Sequence, residues 1–453
     1  SNDSSLDCVR CLPVRSNLCN PNFTKNMKFK KTIYHLKNVA DGREFEDSGW
    51  TLADPEYEGP SLIQAVYENK RFTPREDLDG IYRYAEWMPI KRILKHSSAP
   101  VTYKSKGLAA LLGLENLYIT FSGWNPKIGA KMRTCSFKET EAYSILARMD
   151  EKEKRILIVQ SAGNTARAFA QVCSDNHIPV VICVPQDNIH DLWFRKPLRK
   201  CVKLIAVPHG CDYYDAIALG EKLATDSRFM LEGGAKNIAR RDGMGTTILS
   251  CVEQMGRIPD AYFQAVGSGT GAIAAWENAC RLAEDGRFGE NNMRVYVAQN
   301  SPFSLMYDAW KAGSRSLPEI TPEEGRHKSE MILAKVLSNR KPPYGIAGGL
   351  YDVLKESNGD FFLASNNDII YWLMQFRNRE GYDLLPAACT AVAALAQAVR
   401  DGVVKKDEYI MLNCTGGGTL SAMSKGFVHK EPDLVLSPDL PADEVVRAVM
   451  DLF

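Results

Sequence analysis

The sequence predicts an α/β fold in two domains, with parallel sheets flanked by helices. From Lys154 onward, short apolar runs alternate with amphipathic stretches, which is the pattern of parallel strands joined by helices. Several apolar runs end in turns of small and polar residues, and α/β sheets bind ligands at such strand ends. A chain of 453 residues is also long enough for two or three domains.

The apolar runs are predicted strands and the amphipathic stretches predicted helices. The strands are 155–159, 178–184, 203–207, 261–266, 294–298 and 409–413. The helices are 139–149, 165–175, 213–225, 272–282, 389–399 and 443–452. The charged stretch 305–346 is predicted to be helical up to a break at Pro342-Pro343, because proline interrupts a helix. Residues 1–75 are rich in turn formers and are predicted to be irregular.

Composition predicts a soluble globular protein. Hydrophobic residues make up 45% of the chain and the net charge is +1, so neither nucleic acid nor a membrane surface is an expected partner. The polar start, Ser1 to Ser5, predicts no signal peptide, and no apolar run approaches the roughly 18 residues of a membrane span. The 12 cysteines lie mostly in apolar segments, which is typical of a reduced, cytoplasmic protein.

Lys138 is the first candidate catalytic residue. It follows Ser136-Phe137 and begins a predicted helix. An amine at this place can add to a cofactor aldehyde and later act as a base. A lysine at a helix start is, taken alone, more often a solvated surface residue, but the downstream turns favour the chemical role.

A glycine-rich turn after the strand 261–266 can hold a phosphate, because its backbone N–H groups converge on an anion at a helix start. Its residues also fit the G-x-G-x-x-A pattern of dinucleotide-binding folds, which expects an acidic residue about 20 positions later. The next strand ends in Gln299-Asn300 instead, which favours a phosphate cup over an NAD(P)-dependent oxidoreductase. The turn consists of Gly267, Ser268, Gly269, Thr270 and Gly271.

Two further turns complete the pattern. Ser161 to Thr165, with Asn164 in the centre, separates a strand from a helix, although Ser161 or Asn164 could simply cap that helix. Thr415 opens a Thr-Gly-Gly-Gly turn after the last strand, which is also an ordinary way to end a strand.

The lysine, the asparagine turn, the glycine-rich turn and the terminal Thr-Gly turn, in this order, resemble the pyridoxal-phosphate (PLP) enzymes of the tryptophan-synthase β fold, also called fold type II. The resemblance is greatest to the threonine-synthase branch and, within it, to archaeal cysteate synthases. The segments that carry it are 134–139, 161–170, 232–234, 243–246, 262–271, 339–344 and 348–352.

This resemblance implies PLP as the cofactor, with Lys138 as its Schiff-base lysine. Asn164 would bind the phenolic oxygen of PLP, residues 267–271 its phosphate and Thr415 its pyridine nitrogen. Ser161, Gly163 and Thr165 would then bind the substrate carboxylate.

The implied reaction is a β-replacement in amino-acid biosynthesis. O-Phospho-L-serine and sulfite would give L-cysteate and phosphate through an aminoacrylate. A threonine synthase acting on O-phosphohomoserine and water, an O-phosphoserine sulfhydrylase and a catalytically idle relative are the alternatives.

Cations are expected near such anionic substrates. Lys131 and Arg133 approach the lysine turn, and Arg167 lies in the first turn of the helix after Asn164. Asn237 and Arg240 resemble the Asn-x-x-Arg of threonine synthases. A solvated surface charge remains an alternative for each cation.

We expect three parts: an N-terminal extension (1–75), a large PLP-binding domain (76–150 and 241–453), and a smaller mobile domain (151–240) that carries the asparagine turn. We also expect a homo-oligomer, specifically a dimer, and no metal. The relatives often carry Cys-x-x-Cys where this chain has Asn38 and Asp41. Zinc needs about four ligands, and the upstream cysteines are three: Cys8, Cys11 and Cys19.

Overall fold

A computed structural model of the chain describes residues 29–161 and 163–453. Cys8, Cys11 and Cys19 lie outside the described residues. The strands are β1 (Tyr34–Asn38), β2 (Glu44–Phe45), β3 (Ile63–Tyr67), β4 (Val101–Lys104), β5 (Asn116–Phe121), β6 (Trp124–Asn125), β7 (Ala130–Lys131), β8 (Ile156–Gln160), β9 (Val180–Pro185), β10 (Trp193–Phe194), β11 (Val202–Val207), β12 (Phe229–Leu231), β13 (Ala261–Ala265), β14 (Arg294–Asn300), β15 (Asp360–Ala364), β16 (Tyr409–Cys414), β17 (Val428–His429) and β18 (Leu434–Val435).

The helices are α1 (Gly107–Leu112), α2 (Lys138–Arg148), α3 (Asn164–Asn176), α4 (Tyr213–Ala224), α5 (Ile238–Met244), α6 (Thr246–Met255), α7 (Thr270–Asp285), α8 (Leu305–Lys311), α9 (Pro322–Met331), α10 (Leu350–Glu356), α11 (Asn366–Glu380), α12 (Pro386–Arg400), α13 (Thr419–Met423) and α14 (Ala442–Met450). No helix of the described residues has both the length and the apolar character that a bilayer crossing requires.

Two parallel sheets dominate the fold. The larger has six strands in the order β15-β14-β13-β16-β5-β4, and only the edge pair β4–β5 is antiparallel. The smaller has five parallel strands in the order β12-β8-β9-β11-β18. The predicted α/β class with parallel sheets is therefore confirmed.

Helices cover both faces of these sheets, so the central strands are mostly apolar. Every residue of β9 is buried, as expected for a parallel strand with helices on either side. The alanine-rich helix α12 packs against the six-stranded sheet through its small side chains, which allow the helix to approach the strands closely. These two cores hold the strand ends that form the candidate site in fixed positions.

The C-terminal segment departs from the predicted domain boundary. The predicted large domain includes 241–453, but β18 pairs in parallel with β11 of the smaller sheet. In α14, Val445, Val446 and Val449 join the core of that sheet. The apolar residues of α14 recur at helical spacing, and they cover a sheet face that would otherwise be exposed.

Two further predictions were wrong. Residues 29–75, the described part of the predicted N-terminal extension, are not irregular throughout, because β2, β1 and β3 form an antiparallel sheet. The alternating burial of β3 is the two-residue period of a half-buried strand. The stretch 305–346 is not continuously helical, since α8 and α9 are separated by a turn with Gly313 at φ +66° and by Pro318.

Candidate active site

The lysine turn is joined to the turn that follows β16. The Phe137 N–H donates to the carbonyl oxygen of Thr415 over 2.8 Å, and the Gly417 N–H donates to Cys135 over 3.0 Å. Ser136 and Gly416 form an antiparallel bridge between these bonds. This short ribbon places Lys138, at the first position of α2, beside the carboxyl end of β16.

The glycine-rich turn lies against the same lysine turn. A Cβ atom on Gly271 would lie 2.8 Å from a ring carbon of Phe137 and 2.6 Å from the side-chain nitrogen of Gln264. Phe137 also packs with Met244 and Ala274. Only glycine therefore permits this close approach, which fixes the phosphate-cup candidate next to Lys138.

The geometry of the glycine-rich turn fits a phosphate. Gly269 adopts φ +80°, a left-handed conformation that glycine accepts without strain. The hydroxyls of Ser268 and Thr270 lie 2.8 Å apart, where both can donate to one anion. The 16-residue helix α7 starts at Thr270 and adds unsatisfied N–H groups and the positive end of its dipole.

A segment that the sequence did not mark covers this turn. The backbone oxygen of Val336 would lie 2.7 Å from a Cβ on Gly267, and a methyl group of Val336 would lie 3.6 Å from a Cβ on Gly163. Residues 335–337 therefore contact both the glycine-rich turn and the asparagine turn, and they bring the two within reach of one cofactor.

Arg167 orients the asparagine turn. It donates to Asn164 Oδ1 over 3.3 Å and to the carbonyl of Thr134 over 2.8 Å. A guanidinium has no acceptor, so the oxygen of the Asn164 amide must face it. The amide nitrogen of Asn164 therefore points away from Arg167. A hydrogen bond to a phenolic oxygen needs this nitrogen as the donor.

The other residues of the asparagine turn have local partners. The Ser161 hydroxyl accepts from the N–H groups of Gly163 and Ala166 over 3.3 and 3.2 Å. The capping alternative thus applies to Ser161, whose hydroxyl stabilises the start of α3. Thr165 donates to Glu141 over 3.1 Å, which links the turn to helix α2.

Glu141 is the site residue that sequence reasoning missed. One of its oxygens lies 3.7 Å from Lys138 Nζ, and the other accepts from Arg240 Nη1 at 3.0 Å. Its side chain is fully buried. The signal was present in the sequence, because residues i and i+3 share a helix face, and Glu141 is three positions after Lys138.

The environment of Lys138 favours a neutral amine. Burial lowers the pKa of Lys138, and the positive charge of Arg240 acts in the same direction, whereas Glu141 opposes the shift. A lowered pKa leaves more of the amine unprotonated near neutral pH, which a nucleophilic or basic lysine needs.

Arg240 reaches the site, but its charge is already paired. Burial alone would lower the pKa of Arg240, yet Glu141 and Glu232 raise it above its ordinary value. Its Nε donates to Glu232 over 2.8 Å. Arg240 therefore holds two carboxylates in place, and its predicted contact with substrate has no support in this arrangement.

Asn237 lies behind the site and is not directed towards it. Its oxygen accepts from the Ala239 N–H and from Arg148, both at 3.0 Å. Its nitrogen donates to the carbonyl of Glu232 over 2.8 Å. The fully buried side chain caps helix α5, so the structure does not support its predicted role in binding substrate.

We expect the Arg240→Met variant to lose about 3–5 kcal/mol of unfolding free energy, because it leaves Glu141 and Glu232 buried without a cation. Denaturant unfolding measures this loss. The matched control is Arg228→Met, which removes an exposed arginine from its ion pair with the partly exposed Asp226, so its unfolding free energy should change by at most about 1 kcal/mol. Equal unfolding curves for the two variants would contradict the pairing.

The remaining predicted cations differ in their surroundings. Arg133 pairs with Asp175, and Lys131 is exposed. Arg167 is only 5% exposed and stacks 4.0 Å from the ring centroid of Trp193; burial lowers its pKa to about 10. Of the three, Arg167 alone contacts both the lysine turn and the asparagine turn.

Thr415 is fixed by its backbone. Its carbonyl accepts from Phe137, and its residue exposure is 8%. The contact of its hydroxyl with a pyridine nitrogen stays a prediction. Within residues 29–161 and 163–453, no group of three or more histidine, cysteine or acidic side chains is arranged to hold a metal ion.

A lysine with a lowered pKa beside a glycine-rich turn that opens a long helix is the arrangement expected of the class of PLP-binding enzymes. A sequence profile of the family described as "Pyridoxal-phosphate dependent enzyme" matches residues 100–416. The chain belongs to this family.

Curated relatives make the likeness more specific. The protein named "Cysteate synthase" of Methanocella paludicola is 46% identical over 397 residues, which is 86% of this chain and 92% of the relative. That of Methanosarcina acetivorans is 41% identical over 90% of this chain and 98% of the relative.

Solved structures support the fold alone. Serine racemase from Dictyostelium discoideum matches with a TM-score of 0.52 at 19% identity, covering 70% of this chain and 92% of that one. Threonine deaminase isoform 2 from Solanum lycopersicum matches with a TM-score of 0.54 at 17% identity, covering 72% and 88%. Both likenesses support the predicted fold of PLP enzymes.

Proposed function

We propose that this protein converts O-phospho-L-serine and sulfite into L-cysteate and phosphate. The observation that carries the proposal is the similarity to relatives named cysteate synthase, 46% and 41% identical over nearly their whole length. The contacts that join the lysine, asparagine, glycine-rich and Thr-Gly turns support it. In the reaction the C–O bond to phosphate breaks and a C–S bond forms at the same carbon.

When bound, the PLP cofactor would supply an electron sink for the carbanion left at the substrate Cα. Residues 267–271 would hold its phosphate, the donor end of Asn164 would meet its phenolic oxygen, and Thr415 would face its ring nitrogen. A hydroxyl beside that nitrogen is a weak, neutral partner, which suits elimination and replacement better than racemisation.

The protein's own groups would handle the proton and the charges. The Lys138 amine is the base that takes the Cα proton, and Glu141, 3.7 Å away, stabilises the ammonium that results. Ser161, Gly163 and Thr165 lie at the start of α3, where the N–H groups that Ser161 does not cap would suit a substrate carboxylate. Val336 lies over both adjoining turns, against Gly163 and Gly267.

Two alternatives differ in substrate or nucleophile. Threonine synthase would use O-phosphohomoserine and water, and a sulfhydrylase would use sulfide. Family membership overturns the oxidoreductase alternative, and the intact set of turns around Lys138 argues against an idle relative.

We expect the purified holoenzyme to form cysteate and phosphate in a one-to-one ratio from O-phosphoserine and sulfite, because both products arise from one replacement. Product analysis by mass spectrometry, with a phosphate assay, measures this. Parallel reactions with sulfide, or with O-phosphohomoserine and water, are the controls. Faster turnover in either control than with sulfite would identify the corresponding alternative.

We further propose that the unit of residues 151–240 moves as a lid, since it carries the asparagine turn and parts of the substrate site. The C-terminal residues 434–453 would move with it, because they pair with β11 and α4. A cytoplasmic homodimer completes the proposal. Structures with and without substrate test the movement, and an unchanged arrangement of the two sheets would contradict it.

A further inference from the structure

A second group of hydrogen-bond donors lies beside the lysine turn. Arg195, just after β10, stacks 3.8 Å from the ring centroid of Trp124. Its Nε and Nη2 atoms are buried, and no acceptor for either lies within residues 29–161 and 163–453. Arg195 is only partly buried as a residue, but two guanidinium nitrogens withdrawn from water without an acceptor are costly to a fold.

Two further donors lie nearby. The indole nitrogen of Trp124 is buried and, in the part of the chain that the structure describes, also has no partner. The hydroxyl of Thr419 is buried too, and its polar neighbour is the Cys135 thiol, whose pKa it lowers. Thr419 follows Gly418, whose backbone lies so close to that of Trp124 that a Cβ would collide with it. Trp124 packs with Cys135 and Trp193 in one cluster, so these donors lie on the Cys135 side of the lysine turn.

Positive charge exceeds negative charge here, although the carboxylate of Asp383 accepts from the Leu420 N–H beside Thr419. Arg133 is paired with Asp175, but the acceptors of Arg167 are backbone and amide oxygens. Glu139 is occupied by Thr134, and burial raises its pKa, which favours the neutral acid.

The chemistry of these donors indicates which kind of ligand they can bind. Guanidinium and indole nitrogens only donate, so the ligand must bring the acceptors and negative charge. The donors come from stacked, closely packed side chains, which suit a small ligand. An oxyanion with three or four oxygens meets all of these requirements.

We infer that Arg195, Trp124 and Thr419 form a binding site for a small inorganic oxyanion of the sulfite and phosphate class, separate from the glycine-rich turn. Cys135 belongs to this cluster and lies three residues before Lys138, so the site flanks the lysine turn. The assignment of its anion to the reaction rests on the proposed function; the binding itself does not.

Calorimetric titration of the holoenzyme with sodium sulfite and, separately, with inorganic phosphate tests the site. We expect Arg195→Met to weaken binding of at least one anion tenfold or more, because charged hydrogen bonds are lost. Lys196→Met is the matched control: it removes an exposed cation from the adjacent position, and binding should be unchanged. Equal affinities of wild type and Arg195→Met for both anions would overturn the inference.

A comparison of the two anions shows whether the site binds the incoming nucleophile or the leaving group. A loss confined to sulfite, with a raised KM for sulfite, identifies a site for the incoming nucleophile. A loss confined to phosphate identifies a site for the leaving group. If the proposed function is wrong, no cysteate forms, yet the anion still binds to wild type more tightly than to Arg195→Met.

Thermal unfolding separates a ligand site from a structural role. In buffer free of sulfite and phosphate, Arg195→Met should have the same or a higher Tm than wild type, because the variant no longer buries two guanidinium nitrogens that lack an acceptor in the described part of the chain. Adding the bound anion should raise the Tm of wild type and of Lys196→Met, but not that of Arg195→Met. A lower Tm of Arg195→Met in anion-free buffer, with no anion response in wild type, would show that Arg195 is structural.

Discussion

The Lys138→Ala enzyme is expected to lose turnover by at least about 100-fold, since general acid–base catalysis alone contributes 10²–10⁴-fold. Alanine also removes the amine that would hold the cofactor covalently. The free amine in the wild type is poised for both tasks because burial lowers its pKa. Steady-state kinetics with O-phosphoserine and sulfite measures the loss.

Trapping with borohydride tests the same residue chemically. In wild type, the reduced cofactor adduct should map by mass spectrometry to Lys138, and the Lys138→Ala protein should carry none. Lys131→Ala is the control, since Lys131 is an exposed lysine near the same turn. An adduct on any other lysine of the wild type would refute the assignment.

The fold was predictable wherever burial of an element produces a recognisable hydrophobic pattern in its own sequence. Helices α3, α7 and α12 and strands β8, β9 and β13 were predicted within a few residues, because strands covered on both faces read as apolar runs. The N-terminal sheet was missed because its strands are short and separated by turn formers. The position of α14 depends on a distant strand, β11, which no local pattern reveals.

The residues of the candidate site likewise fall into two groups: those that the sequence indicates and those that only the structure shows. Lys138, Asn164 and the glycine-rich turn follow a fixed order along the chain, and the sequence therefore indicates them. Whether a cation is free or paired depends on tertiary contacts, so Arg240 was assigned to substrate although Glu141 and Glu232 neutralise it. Two nitrogens of Arg195 have no acceptor among residues 29–161 and 163–453, and this is likewise visible only once its neighbours are known.

The structure changes the expected phenotype most for substitutions of Arg167. From the sequence, it is a cation that binds substrate phosphate or sulfite, and its loss would raise KM for that anion. In the structure it donates to Thr134 and Asn164 and stacks on Trp193. Its guanidinium therefore holds the asparagine turn against the lysine turn.

We expect Arg167→Met to reduce kcat/KM for O-phosphoserine by roughly ten- to a hundredfold, since hydrogen bonds to charged groups contribute about 1.5–3 kcal/mol. The loss should fall mainly on kcat and on PLP affinity, because Asn164 loses the donor that orients its amide. Kinetics with each substrate varied separately, together with PLP titration of the apoenzyme, measures both.

Two further variants discriminate between positioning and direct anion binding. Arg133→Met removes a cation that is already paired with Asp175, so its effect should be smaller. Arg167→Lys keeps the charge but lacks the planar fork that reaches two carbonyl groups and the amide at once, so it should not restore kcat. If Arg167→Lys recovers activity and Arg167→Met raises only KM for an anion, then charge is what matters, and Arg167 binds substrate directly, as its position in the sequence first indicated.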